Sequence, residues 1–215
     1  GRTPHDIDLA TDATPDEIRM ILNDAGFKET DAQKSDGKTR STDEHGPKIF
    51  YVKGRDKTGT DFTFGVKVNG QEFDLSTFRA DSKGSDGRHP DQMKFSSHQD
   101  DSARRDLTIN SLYLALNNPD GPNANITDHH GGIHDLASDT VKFVGNPQER
   151  LEEDLLRALR YIRFAARDGK GKVQDEIKAA IKKVAPNIRK AVSAERIQEE
   201  FSKGLAYEEV DPALY

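Results

Sequence analysis

The sequence predicts an α+β protein, in which a small mixed β-sheet with flanking helices is followed by an all-helical C-terminal part. Residues 49–78 carry short apolar runs with strand-like alternation, and Asn69-Gly70 is a hairpin signal between two of them. After residue 145, apolar residues recur at the three- and four-residue spacing of helices. We therefore predict two domains, a mixed head over residues 1–145 and a helical neck over residues 146–215.

The first predicted helix begins at Thr14-Pro15-Asp16-Glu17, where threonine caps, proline suits the first turn and glutamate completes a capping box. Ile18, Ile21 and Leu22 then supply an apolar stripe that extends up to Gly26. The other predicted elements are a polar insertion at 30–48, strands at 49–52, 62–68 and 72–78, a polar loop at 80–101, a helix at 103–116, a short strand at 140–144 and helices thereafter.

Composition sets limits on the partners. The net charge of −6 argues against a generic polyanion binder, although residues 170–190 hold seven basic and two acidic side chains. Charge alone favours a solvated helix surface there and leaves contact with a phosphate backbone open. The chain has no cysteine, which excludes disulfides and fits a cytoplasmic protein, and no apolar run is long enough for a membrane span.

Three aspartates on predicted strands suggest a metal site. Asp6 and Asp8 alternate along one strand, so both carboxylates face the same side. Asp74 follows the hairpin on another strand, and a two-metal polymerase site needs such a third carboxylate. In an acidic chain, each of these residues taken alone is more often an ordinary surface carboxylate.

A second polar group opens the predicted helix at 103–116. Arg104 and Arg105 offer forked donors that suit phosphates, and Asp106 can accept from ribose hydroxyls. Asn110 lies one helical turn beyond Asp106 on the same face. A set of ion pairs on a helix surface explains the pattern equally well.

A third group lies on a predicted continuous helix over residues 151–167. Glu153, Asp154 and Arg157 face away from its apolar stripe, and the three-residue spacing predicts that Asp154 and Arg157 hold each other. Together they offer an acceptor and a planar donor that can read the edge of a base. A surface salt bridge is the alternative interpretation.

These groups occur in one ordered series of motifs. The series is Gly1-Arg2-Thr3-Pro4-His5-Asp6-Ile7-Asp8-Leu9-Ala10-Thr11, Ser76-Thr77-Phe78-Arg79, Ser85-Asp86-Gly87-Arg88-His89-Pro90, residues 104–112 and Glu153-Asp154-Leu155-Leu156-Arg157. It resembles the class II tRNA nucleotidyltransferase and bacterial poly(A) polymerase family. Val192-Ser193-Ala194-Glu195-Arg196-Ile197 is similar to a later motif of its neck.

The resemblance implies roles for the named residues and a nucleotidyltransferase head followed by a helical neck. Asp6 and Asp8 become Mg²⁺-binding catalytic carboxylates, with Asp74 as a third catalytic carboxylate. The implied nucleotide-binding residues are Arg104, Arg105, Asp106 and Asn110 for triphosphate and ribose, and Glu153, Asp154 and Arg157, assisted by Arg160, for the base.

The implied activity is addition of CMP and AMP from CTP and ATP to an RNA 3′ end, with the CCA end of tRNA as the leading acceptor. Three alternatives stay open: a poly(A) polymerase, a non-catalytic RNA-binding module of the same fold, and an enzyme acting on a small molecule. The sequence leaves the oligomeric state open.

The sequence departs from the family pattern in two ways: it does not show two segments that members carry, and its polar insertion over residues 30–60 is longer than expected between the first helix and the sheet. Members carry a Gly-Gly-x-x-Arg-Asp segment before the aspartate pair and a helical body after the neck, so we expect this chain to be a fragment of a longer enzyme.

His129, His130 and His134 lie close in sequence, but they fall in a predicted loop and we predict no zinc site.

Overall fold

The computed structural model describes residues 7–31, 48–56, 58–81, 93–116, 126–166 and 173–205. By packing, the chain forms two compact units, residues 1–101 and residues 102–215. The predicted boundary between head and neck at residue 145 stays a prediction, because a division by packing does not test a functional boundary.

The first unit is built on a five-stranded sheet. Its elements are β1 (Asp8–Thr11), α1 (Pro15–Asp24), β2 (Lys28–Glu29), β3 (Ile49–Arg55), β4 (Asp61–Val68), β5 (Gln71–Thr77), β6 (Arg79–Asp81), β7 (Met93–Phe95) and α2 (His98–Ala103), whose last residues pass into the second unit. The sheet order is β1-β5-β4-β3-β2. Strands β3, β4 and β5 are antiparallel, whereas β1 runs parallel to β5 and β2 parallel to β3, so the predicted mixed sheet is confirmed.

Local signals in the first unit were predicted correctly. Thr14 and Glu17 form the capping box of α1, with Pro15 in the first turn. Asn69 and Gly70 join β4 to β5 with φ angles of 51° and 78°, the left-handed values that this tight hairpin turn requires.

One face of the sheet packs against α1. Ile18 and Leu22 of the helix are buried with Phe50, Phe64 and Val66 of the strands. Ile21, the third residue of the apolar stripe, does not join them, because 56% of its surface is exposed. A stripe of two residues suffices here because α1 is only 10 residues long and covers a narrow strip of the sheet.

The second unit is mainly helical, as predicted for its C-terminal part. Its elements are a 3₁₀ turn (Thr108–Asn110), β8 (Tyr113–Leu114), β9 (Ile126–Thr127), α3 (Gly132–Ala137), α4 (Pro147–Glu153), α5 (Leu156–Ala166), α6 (Asp175–Ala191) and α7 (Ala194–Leu205). Its core holds Leu107, Leu151 and Ile177, with Phe143 stacked on Tyr161 at 5.2 Å between ring centroids. Of the helices that the structure describes, none combines the length and hydrophobicity needed to cross a bilayer.

The predicted helix at 103–116 was wrong. Leu107 forms an antiparallel bridge with Phe143, and the amide of Val144 donates to the carbonyl of Asp106 at 2.9 Å. Burial of Leu107 against the later segment therefore outweighs local helix preference, and beyond Ala103, the last residue of α2, only the 3₁₀ turn at 108–110 of the predicted helix is helical. The segment at 140–144 forms isolated bridges instead of the predicted strand.

Two further predictions need correction. The segment at 80–101 is not a loop throughout, because β6 pairs with β7 and α2 begins at His98. The predicted continuous helix at 151–167 is broken at Asp154, whose extended backbone has φ −151° and ψ 109°. The Asp154 carboxylate then accepts from the amide of Leu156 at 3.0 Å, so α5 begins as a new helix.

Candidate metal-binding and nucleotide-binding residues

Asp8 and Asp74 lie side by side on two parallel strands. They are register partners in the β1–β5 pair, and the amide of Asp74 donates to the carbonyl of Ile7 at 3.2 Å. Register partners project from the same face of a sheet, and neighbouring strands lie about 4.8 Å apart. The predicted third carboxylate therefore stands next to Asp8, while Asp6 lies outside the described residues.

Lys53 of β3 reaches across β4 to the carboxylate of Asp74. Its Nζ lies 2.7 Å from each Asp74 oxygen. Partial burial lowers the pKa of Lys53, but the hydrogen bond and the negative charge of Asp74 outweigh it, so the net shift is upward. Lys53 is therefore an ammonium ion at neutral pH, and sequence reasoning missed it because its contact depends on pairing across three strands.

The oxygen ligands of this site suit a hard cation such as Mg²⁺. Among the residues described, no three histidine, cysteine, aspartate or glutamate side chains are grouped to hold a metal ion. Asp8 and Asp74 thus supply two carboxylates of a set whose third predicted member, Asp6, is outside the described part of the chain.

The histidines of the second unit have other neighbours. The Nε2 of His130 lies 2.9 Å from the Ser102 hydroxyl, and burial lowers the pKa of this imidazole. His134 lies 3.7 Å from Asp135. The expectation that no zinc binds here stays a prediction.

Asp106 is the buried centre of the first predicted nucleotide-binding group. Its exposed fraction is 8%, and its carboxylate accepts from Arg160 at 2.5 Å, the Leu107 amide at 2.8 Å and the Asn110 side chain at 3.4 Å. Burial raises the pKa of Asp106, but Arg160 and the two other donors outweigh it and lower the pKa overall. The predicted neighbourhood of Asp106 and Asn110 is therefore correct, although a 3₁₀ turn supplies it instead of an α-helix.

The two arginines before Asp106 lie on an irregular turn. Arg105 donates to the Tyr113 hydroxyl at 3.2 Å and to the carbonyl of Asn110 at 3.1 Å, and its guanidinium stands 4.9 Å from the tyrosine ring centroid. The carbonyl of Arg104 accepts from Arg157 at 2.9 Å. The turn is thereby tied to the start of α5.

Arg157 is held by three acceptors. Its guanidinium donates to Glu153 at 2.7 Å, to the carbonyl of Arg150 at 3.2 Å and to the carbonyl of Arg104. The predicted side-chain pairing of Asp154 with Arg157 was wrong. The break between α4 and α5 turns Asp154 toward Arg196, whose Nη2 lies 3.2 Å from its carboxylate.

Helix α7 contributes a second buried charge that the sequence did not reveal. Glu200 is 6% exposed and lies 2.9 Å from Arg163 and 3.8 Å from Arg160. Arg196 and Glu200 are one turn apart, so one face of α7 contacts both Asp154 and Arg160. The four-residue spacing was visible in the sequence, but their partners lie too far away along the chain to be read from it.

Two family models match parts of this chain. Residues 47–142 match the model of the poly A polymerase head domain. Residues 172–215 match the model described as the probable RNA and SrmB-binding site of polymerase A. The CCA-adding enzyme of Enterococcus faecalis is 36% identical over 205 residues, which are 94% of this chain and 41% of that protein.

The chain belongs to the tRNA nucleotidyltransferase and poly(A) polymerase family. Another member, the mitochondrial CCA tRNA nucleotidyltransferase 1 of Homo sapiens, is 31% identical over 217 residues, covering 100% of this chain and 43% of that protein. The crystal structure of the Bacillus stearothermophilus CCA-adding enzyme in complex with CTP has a TM-score of 0.64 and 25% identity, with 95% of this chain and 40% of that chain covered. The predicted α+β head fold is therefore confirmed. The chain spans about two fifths of the length of these curated relatives.

Proposed function

We propose that this chain is the catalytic part of a template-independent nucleotidyltransferase that adds CMP and AMP from CTP and ATP to the 3′ end of tRNA, building its CCA end. The observation that carries the proposal is the pairing of Asp8 with Asp74 on adjacent parallel strands. Two neighbouring carboxylates on rigid strands suit the binding of Mg²⁺, and the sequence places a third, Asp6, two residues before Asp8.

Magnesium, when bound, would neutralise the triphosphate and favour ionisation of the attacking 3′ hydroxyl. The strands of this unit hold Asp8 and Asp74 in fixed positions, which lowers the cost of ordering the reacting groups. The reaction joins the RNA 3′ oxygen to the α-phosphorus of the nucleotide and releases pyrophosphate.

We assign base reading to Asp154 and Arg157. A carboxylate can accept from the exocyclic amine that cytosine and adenine share, and a guanidinium can donate to their ring acceptors. Glu153 supports this role by holding the guanidinium of Arg157 in one orientation, while Arg196 holds Asp154. Uracil and guanine present a carbonyl where the amine would be, so a fixed carboxylate disfavours them.

We assign the triphosphate to Arg104 and Arg105 and the ribose to Asp106 and Asn110. Arg160 joins this group through its ion pair with Asp106. The lowered pKa of Asp106 keeps it an acceptor at neutral pH, which suits a hydroxyl donor on the ribose.

The RNA backbone fits the exposed face of α6. Lys178, Lys182 and Arg189 are exposed and recur at four- and seven-residue spacing, so they lie along one side of the helix. Their span is about 16 Å at 1.5 Å per residue, enough for several phosphates of a strand.

Two other functions compete with CCA addition: a poly(A) polymerase that adds AMP repeatedly, and a non-catalytic RNA-binding role. A cytoplasmic location stays a prediction.

The test is incorporation of labelled CTP and ATP into tRNA that lacks its CCA end. We expect Mg²⁺-dependent incorporation, reduced about 100-fold or more in Asp8→Asn and in Asp74→Asn. Asp12→Asn, an exposed aspartate beyond the end of β1, is the matched control and should retain the wild-type rate. Incorporation that survives both substitutions would contradict the assignment of the carboxylates.

A further inference from the structure

Asp74, the register partner of Asp8, already has a positively charged partner in Lys53. The ammonium of Lys53 is bound symmetrically, 2.7 Å from both oxygens of Asp74. A divalent cation needs the same oxygen lone pairs, at about 2.0 to 2.6 Å. A carboxylate that accepts hydrogen bonds from an ammonium with both oxygens therefore binds a metal ion less tightly than an unpaired carboxylate does.

The sheet is shaped to let Lys53 reach this position. Along one row of the sheet, Tyr51 pairs with Gly65, and Gly65 pairs with Asp74. A Cβ at Gly65 would stand 2.3 Å from the Tyr51 ring, so only glycine leaves room for side chains of β3 to lie over β4. Lys53 follows at a register shift of β3, and its flexible stem crosses to β5.

The pair is accessible to ions from solution. The side chain of Lys53 is 46% exposed and that of Asp74 is 29% exposed. The lysine stem can therefore swing into water without opening the core, which holds Phe64 and Val66 on β4 and α1 beyond them.

We propose that Lys53 is a resident counter-ion of the metal-site carboxylate, which a divalent cation must displace from Asp74, so that Lys53 sets the metal affinity of the site. The proposal rests on the proposed function through the role of Asp74. Before metal arrives, the ammonium offsets the repulsion between Asp74 and its register partner Asp8. Removing it leaves Asp74 open to metal and strengthens binding.

The test is Mn²⁺ affinity of the 215-residue chain without nucleotide, measured from the electron paramagnetic resonance signal of unbound Mn²⁺. We expect Lys53→Met to bind Mn²⁺ about threefold or more tightly than wild type, in the range of a partly exposed ion pair. Lys67→Met is the matched control: it removes the same charge from β4, where Lys67 pairs with Glu72 instead of Asp74, and its affinity should stay within about twofold. Lys53→Arg keeps the cation and should show no tightening.

The double variant Lys53→Met/Asp74→Asn separates this inference from the proposed function. We expect it to match Asp74→Asn alone, because the effect of Lys53 acts through Asp74. Wild-type or weaker affinity in Lys53→Met, while Asp74→Asn still weakens binding, would overturn the counter-ion role alone. Mn²⁺ binding that is absent in the wild type or unchanged by Asp74→Asn would overturn the metal site and the inference with it. Circular dichroism melting verifies that each variant is folded.

Discussion

The carboxylate of Asp154 accepts a hydrogen bond from the guanidinium of Arg196, 42 residues further along the chain. Its other oxygen accepts from the backbone amide of Leu156. Asp154 is thus fixed from two directions at the break between α4 and α5. An acceptor that must distinguish amino from carbonyl groups on a base benefits from such fixation, because a mobile carboxylate could turn away from a mismatched base.

Arg196→Ala should therefore lower the selectivity for CTP and ATP, with little change in the free energy of unfolding. We expect misincorporation of UMP and GMP relative to CMP and AMP to rise about tenfold, with Arg196→Lys intermediate because lysine keeps the charge but not the fork. The measurement is kcat/KM for each of the four nucleotides on one tRNA acceptor. Lys203→Ala, which removes an exposed ion pair on the same helix, should leave the ratios unchanged. An unaltered ratio in Arg196→Ala would show that Arg196 does not position Asp154.

Glu200 is expected to matter chiefly for stability. It is buried next to Arg160 and Arg163, so Glu200→Gln removes the negative charge that both guanidinium groups face. We expect a loss of about 2–3 kcal/mol in the free energy of unfolding, somewhat below the range for fully buried pairs because Arg160 is partly exposed. Urea unfolding followed by circular dichroism measures it. Glu199→Gln, an exposed neighbour, is the control, and equal loss in both variants would contradict the assigned burial.

The ion pair of Asp106 predicts an acid-sensitive contribution to stability. Its folded pKa is lowered, chiefly because Arg160 outweighs the effect of burial, and its unfolded value is about 3.9. The stabilisation is therefore complete above about pH 4 to 5 and is lost as the pH falls through the folded pKa. Asp106→Asn should be less stable than wild type at pH 7, and the gap should narrow below about pH 4 in urea unfolding curves. A difference in the free energy of unfolding between the two proteins that stays constant down to about pH 2.5 would contradict this linkage.

The sequence predicted the features that depend on neighbouring residues. The capping box of Thr14 and the turn at Asn69-Gly70 need only a few residues, and both were correct. The features that failed depend on distant partners. A helix was predicted over residues 103–116, but Leu107 instead forms a bridge with the distant Phe143. The helix break at Asp154 is likewise stabilised by a distant residue, Arg196. Local propensity carries no information about such contacts, and packing outweighs it.

The candidate site divides in the same way. The identities of Asp8, Asp74 and Asp154 were visible as motifs, because the proposed chemistry needs carboxylates at these positions. Their partners Lys53 and Arg196 were not, because each pairing depends on strand register or helix packing. The candidate residues could be selected by resemblance to a family, whereas the side chains that position them were found only from the fold.

Gly65 tests the sheet geometry that brings β3 over β5. Gly65→Ala should force the Tyr51 ring off β4 and away from Glu72, its hydrogen-bond partner, at a cost of about 1–3 kcal/mol in the free energy of unfolding. In a Tyr51→Ala background the same change should cost much less, since the clash is removed. Guanidinium unfolding of the wild type, the two single variants and the double variant measures the coupling, and additive costs would contradict the close approach.

Completion of the CCA end of tRNA is the activity proposed for this chain, and the 3′-end sequence of its products tests that proposal. A tRNA that lacks CCA would be incubated with the chain, Mg²⁺ and all four nucleotides, and the extended ends sequenced. We expect addition of two C residues and one A, followed by a stop. Runs of A would indicate a poly(A) polymerase, and no extension under any condition would contradict the catalytic assignment.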